Sequence, residues 1–196
     1  MKGLYEFENE NIRFVVDHDD FTESPRDLYD NLGTVVEWHR KMDFGDEKIE
    51  AGQYEDEFEA LKNHVGSMEG LVYLPVYIYQ HSGISIRTTP FSSMWDSGQG
   101  GWIYVKEEDY KKRNLTKERV EEILEEEIKL LDKWVSGEVY SVAIWNKEKC
   151  GHCGHIDLEL EDSLSGLFGF REVKEYVKNI SDYLGESLTK EILQKL

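Results

Sequence analysis

Apolar residues fall at every second position near the start of the chain: Ile12, Phe14 and Val16, within LYEFENENIRFVVD. That period marks a half-buried strand, and the polar segment 8–11 divides the stretch into two short strands. A polar loop with Pro25 follows, DHDDFTESPRD, then a turn at 31–33 and a strand over 34–39. The period changes in YEDEFEALKNHVG. Tyr54, Phe58, Leu61 and Val65 recur at three and four, which predicts an amphipathic helix over 54–66 closed by Gly66. GLVYLPVYIYQHSG is an apolar, β-branched and aromatic run, hence a buried strand, and Pro75 inside it predicts a bulge or an edge. A turn at 82–83, a strand over 84–88 and a strand over 101–105 come next.

The clearest helix is predicted over 116–136. Thr116 stands as N-cap, Glu118 favours the start, and Val120, Ile123, Leu124, Ile128, Leu131, Trp134 and Val135 form the apolar stripe. EVYSVAIWN and IDLELE read as strands joined by the turn KEKCGHCGH. Val173, Tyr176, Val177, Ile180, Tyr183 and Leu184 give a further helix stopped by Gly185, and a last short helix runs over 187–196. Few strand–helix–strand alternations occur. The expectation is an α+β fold with a mostly antiparallel sheet, two main amphipathic helices and a short C-terminal helical extension. A length of 196 residues suits one α+β domain over 1–165 with the extension, 166–196, packed on it.

Charge narrows the partners. There are 41 acidic against 23 basic residues, for a net charge of −18. Phosphate backbones attract clusters of Lys and Arg, so direct nucleic-acid binding is not expected. A basic protein surface that ordinarily holds nucleic acid is the complementary partner; solubility through net charge is the plainer reading. The five Trp, eleven Tyr and eight Phe can fill a core. The N-terminus has no apolar leader segment and no stretch is apolar enough to span a membrane, so the expected location is cytoplasmic, without membrane partners. Two neighbouring cysteines make a disulfide framework unexpected.

Three stretches carry more specific wording: NLGTVVEWHRKMDFGD, LPVYIYQHSGISIRTTPFSSMWDSGQGGWIYV and VSGEVYSVAIW. They resemble an uncharacterised family of small proteins encoded by phages and by prophages in bacterial genomes. The resemblance covers roughly residues 12–145, with an echo in GLFGF at 166–170. That family carries no established activity. What the resemblance implies is context: an accessory protein working inside an infected bacterial host. The CGHCGH turn and the last helices depart from the family pattern.

Four constellations bear chemistry. His39, Arg40, His81 and Asp96 offer general acid–base catalysis on a phosphodiester, as in a metal-free hydrolase or ribonuclease. A Ser–His–Asp triad through Ser82 is a weaker fit, because His81 and Ser82 are neighbours on an extended chain. The plainer reading is a hydrogen-bonded loop in which Trp95 packs and Asp96 caps a turn. Cys150, Cys153 and His155, with His152, have the ligand types of tetrahedral zinc, which makes a zinc-stapled assembly module possible; a glycine-rich turn with reduced thiols is the alternative. Asp17, Asp19, Asp20 and Glu23 suggest a hard cation or a solvated loop. Last come the acids of the helices. Glu118, Glu121, Glu122, Glu125, Glu126 and Glu127 occupy roughly 15 Å of helix at about 1.5 Å per residue. The resulting spacing, about 2.5 Å per charge, falls between the roughly 1.7 Å of duplex DNA and the roughly 3.4 Å of one strand. Glu55, Asp56 and Glu59, with Glu50 and Glu57, form a second acidic group. If both groups faced one way, the chain would imitate a nucleic-acid backbone. The leading expectation is an acidic, non-enzymatic anti-defence inhibitor that docks on a host nucleic-acid enzyme or ribonucleoprotein, such as a CRISPR or restriction nuclease.

Overall fold

The period-two residues of the N-terminal stretch form a hairpin of β1 (Tyr5–Glu8) and β2 (Ile12–His18), with Phe7 opposite Phe14. Asn9 closes its turn, its side-chain oxygen accepting from the amides of Asn11 and Ile12 at 2.9 and 2.8 Å. The computed structural model describes residues 3–40, 42–50, 52, 54–93 and 95–196. Lys41 and Met94, within the stretches quoted above, lie outside them.

Two compact units make up the chain, Met1–Thr22 with Gly137–Leu196, and Glu23–Ser136. This division differs from the expected boundary at 165. In the first unit β2 pairs antiparallel with β8 (Val139–Lys149), and β8 with β9 (Ile156–Phe168), giving the order β1-β2-β8-β9. The C-terminal helices α5 (Phe170–Asn179), α6 (Ser181–Leu184) and α7 (Glu186–Lys195) bring Val173, Val177, Leu184, Leu188 and Ile192 onto Phe7, Phe14, Tyr140, Val142 and Ile144. They are therefore part of this unit's core rather than an appendage. The single helix expected over 173–184 is broken at Ile180.

The second unit is a five-stranded sheet in the order β4-β3-β7-β5-β6. Its strands are β3 (Thr34–Glu37), β4 (Glu47–Lys48), β5 (Val72–Gln80), β6 (Ile84–Arg87) and β7 (Ser97–Val105). Only β3–β4 is parallel among the pairings described. The register of β5 on β7 shifts between Val76 and Tyr77, directly after Pro75, where a residue without an amide proton favours a bulge.

Helix α4 (Lys117–Val135) covers one sheet face, burying Val120, Leu124, Ile128 and Leu131 against Val35, Ile103, Val105 and Ile86. At about 1.5–3 kcal/mol for each buried aliphatic side chain, this stripe is a large share of the unit's stability. Helix α2 (Glu57–Val65) covers the other face through Leu61, against Val36, Trp102 and Tyr104. Neighbouring strand residues point to opposite faces, which is why Val35 and Val36 serve different helices. Asp56 caps α2, and Gly66 ends it at φ 78°, a conformation glycine adopts without steric cost. The short helices α1 (Pro25–Leu28) and α3 (Glu107–Lys112) complete the unit. No described helix is long and apolar enough to cross a membrane.

Candidate functional site

The acids of α4 divide between surface and core. Thr116 accepts from the amide of Arg119 at 3.3 Å and fixes the start of the helix. With the apolar stripe buried, Glu118, Glu121, Glu122, Glu125 and Glu126 are left exposed. Arg119 reaches Glu122 at 2.7 Å and Glu126 at 3.9 Å, and Lys129 reaches Glu125 at 3.4 Å. Glu118 and Glu121 have no ion pair among the described residues. Hydrogen bonds from its own amide and the Thr116 hydroxyl hold the Glu118 carboxyl below the ordinary carboxylate range. Glu127 does not belong to this surface. Its side chain, 11% exposed, pairs with the 5% exposed Arg26 at 2.7 Å and accepts from the amide of Leu32 at 2.6 Å. Surface carboxylates on α4 thus number five of the six expected.

The second acidic group is tied to local structure. Asp56 accepts from the amide of Glu59, and Glu59 accepts from the amide of Glu55, both at 2.7 Å. Asp56 is the N-cap of α2, and Glu59 reaches back to the residue before it, a variant of the box that starts helices. Because α2 and α4 pack on opposite faces of one sheet, the two groups do not form a single acidic surface, contrary to the one-sided arrangement a backbone mimic would want.

The residues proposed for acid–base work also separate. His81 Nδ1 lies 3.5 Å from Asp96 Oδ2, with both side chains substantially exposed. The amide of Gln80 donates to the Asp96 carbonyl at 2.8 Å, which sets the pair at the end of β5. His39 and Arg40 instead line a cleft of about 920 Å³ with Trp38, Lys48, Tyr54 and Asp56, and neither His81 nor Asp96 reaches it. Nδ1 of His39 is buried and has no hydrogen-bond partner among the described residues. Next to it Glu37 is 1% exposed. Burial raises its carboxyl above the ordinary range, outweighing the His39 amide and Lys48. Nothing in the sequence pattern separates Glu37 from the other acids; only its place on β3, opposite Gly101, buries it. The four residues therefore make two sites rather than one. Trp95 is 97% exposed and does not pack as expected.

Cys150, Cys153 and His155 sit at the exposed β8–β9 turn. The amides of Cys153 and His152 and the neighbouring thiol hold the Cys150 thiol below its ordinary value. His155 turns to Asp157 at 3.3 Å. Among the described residues no group of three or more His, Cys, Asp or Glu is placed to hold a metal ion. The tip has thiols suited to zinc, and among the described residues no third ligand stands with them. In the acidic loop, Asp19 accepts from the Thr22 hydroxyl at 2.5 Å, the Gly166 amide at 2.9 Å and the Phe21 amide at 3.1 Å. Burial would raise its carboxyl, yet these donors outweigh that and hold it below the ordinary value. Asp19 is a structural cap rather than a cation ligand.

No family model, curated protein sequence or solved structure matches the chain.

Proposed function

We propose that this chain is a phage-encoded, non-enzymatic inhibitor that lays the carboxylate row of α4 on a basic surface of a host nucleic-acid enzyme. A CRISPR-type or restriction nuclease is the class in view. The observation that carries the reading is the row itself: Glu118, Glu121, Glu122, Glu125 and Glu126 stand exposed along one helix in a chain of net charge −18. Opposite charge steers encounter and weakens with ionic strength. The second acidic group, on the far face of the sheet, takes no part.

Capture from host lysate over a NaCl series tests the reading. A nucleic-acid enzyme is expected among the salt-sensitive partners. Charge reversal at Glu118, Glu121 and Glu122 together should weaken its capture by about tenfold or more. Capture unaffected by that triple change removes α4 from the interface.

One observation favours a second reading. His39 lines the cleft beside Arg40, and its buried Nδ1 has no hydrogen-bond partner among the described residues, which fits a hydrolase or ribonuclease that uses the cleft without His81 or Asp96. In that case a His39→Ala chain loses a nuclease activity that the wild type shows, while its melting temperature holds.

A further inference from the structure

Strand β9 lies at the edge of its sheet, paired on one side with β8 and carrying no strand on the other among the described residues. Residues 156–165 are exposed throughout. Across from β8, Ile156 stands opposite Lys149, Leu158 opposite Lys147 and Leu160 opposite Trp145. Side chains alternate along a strand, so Ile156, Leu158 and Leu160 form an apolar stripe on one face, at 47%, 41% and 48% exposure. Asp157 and Glu159 line the other face. The pairing with β8 is irregular at two places, between Tyr140 and Val142 and between Ile144 and Trp145. The charges on 156–165 are all acidic, with no Lys, Arg or Pro, so they discourage an acidic strand and leave the edge open to a basic one.

We propose that the free edge of β9 is a strand-addition site for an extended partner segment that alternates apolar and basic residues. Backbone amides and carbonyls of the open edge pair with the incoming strand. Its apolar side chains extend the stripe of Ile156, Leu158 and Leu160, and its Lys or Arg side chains meet Asp157 and Glu159. Charge selects this occupant over a second copy of the chain. Two β9 edges side by side would set carboxylates against carboxylates, a repulsive cross-strand arrangement. The site goes beyond the inhibitor reading and does not depend on it, because the α4 row belongs to the other unit.

The probe is a synthetic peptide alternating Val and Lys over about eight residues, with a Val–Glu peptide of the same length as control. Fluorescence anisotropy should show binding of the Val–Lys peptide that weakens as NaCl rises. Hydrogen exchange should slow at amides within 156–165. Leu158→Glu with Leu160→Glu should weaken binding by roughly tenfold or more. Asp157→Lys with Glu159→Lys should move the preference to the Val–Glu peptide, a reversal that misfolding does not produce. The α4 triple reversal should leave peptide binding unchanged, which separates this site's failure from that of the inhibitor reading. Three results overturn the proposal: no binding, protection outside β9, or retained preference for Val–Lys after the charge swap. Sedimentation showing a dimer whose β9 amides are already protected overturns it too, and assigns the edge to a second copy.

Discussion

Glu127 sits in the same acidic run as Glu125 and Glu126, yet its carboxylate turns inward onto Arg26 and the amides of Leu32 and Gly33. Arg26 also holds Asp46 at 2.7 Å. A partly buried cation with two carboxylates and a backbone carbonyl fixes where the loop before β3 meets α4, and removing one partner leaves charge uncompensated. Glu37 is the opposite case, a carboxyl that burial raises above its ordinary value. A raised folded value means that the native state holds the proton more tightly than the unfolded chain. Stability from this group is therefore full at pH below the unfolded value, about 4.3, and falls as pH rises through the folded one. Glu37→Gln keeps an acceptor for the His39 amide but cannot ionise. The stability of the Gln variant relative to wild type should accordingly rise between about pH 4 and pH 7, measured by urea unfolding at each pH. A difference that stays flat or falls would show that burial does not control this carboxyl.

Element-level packing explains why NLG stands before β3. Asn31 donates to the carbonyls of Pro25, Arg26 and Tyr29, and Gly33 lets α4 and β7 approach. A Cβ on Gly33 would stand 2.5 Å from Leu124 Cδ2 and 2.7 Å from Ile103 Cγ1. Gly33→Ala should thus cost about 1–3 kcal/mol in denaturant unfolding by overpacking. Gly98→Ala, where a Cβ meets nothing within 4 Å, should stay within about 0.5 kcal/mol. The elements legible in the sequence were those whose signal is local. Thr116 and Gly66 mark helix boundaries through cap chemistry, and Ile12, Phe14 and Val16 mark a strand through period two. Pro75 announced its irregularity because it lacks an amide proton. The opposite orientation of α2 and α4 was not legible, since it depends on whether Val35 or Val36 meets each helix. Glu127 was equally hidden, because its partner Arg26 is remote in sequence. The His39–His81 expectation failed for a related reason. The two follow different strands, β3 and β5, with β7 between them, so likeness of residue type gave no convergence.

At the scale of the whole chain, Glu23–Ser136 is one continuous stretch, while the other unit is assembled from both ends. The two ends meet through β2 and β8: His18 stands opposite Tyr140, and the Asp19 amide donates to the Val139 carbonyl at 2.9 Å. Continuous inserts whose flanking residues are adjacent are the arrangement that domain insertion produces. The end-built unit has its own core, from Phe7, Phe14, Val142 and Ile144 to Val173 and Ile192. Replacing 23–136 by a short Gly/Ser turn should leave the four strands and the C-terminal helices folded. A hairpin turn then closes β2 on β8, and the loop-closure entropy of the long insert is relieved. Dispersed amide resonances and a single cooperative melt would be the sign of it. The separated unit should also bind the Val–Lys peptide as the full chain does, because β9 and its acidic face remain. A chain that loses its tertiary structure on this excision would show that the two cores are not independent, and that the C-terminal helices alone cannot hold the sheet.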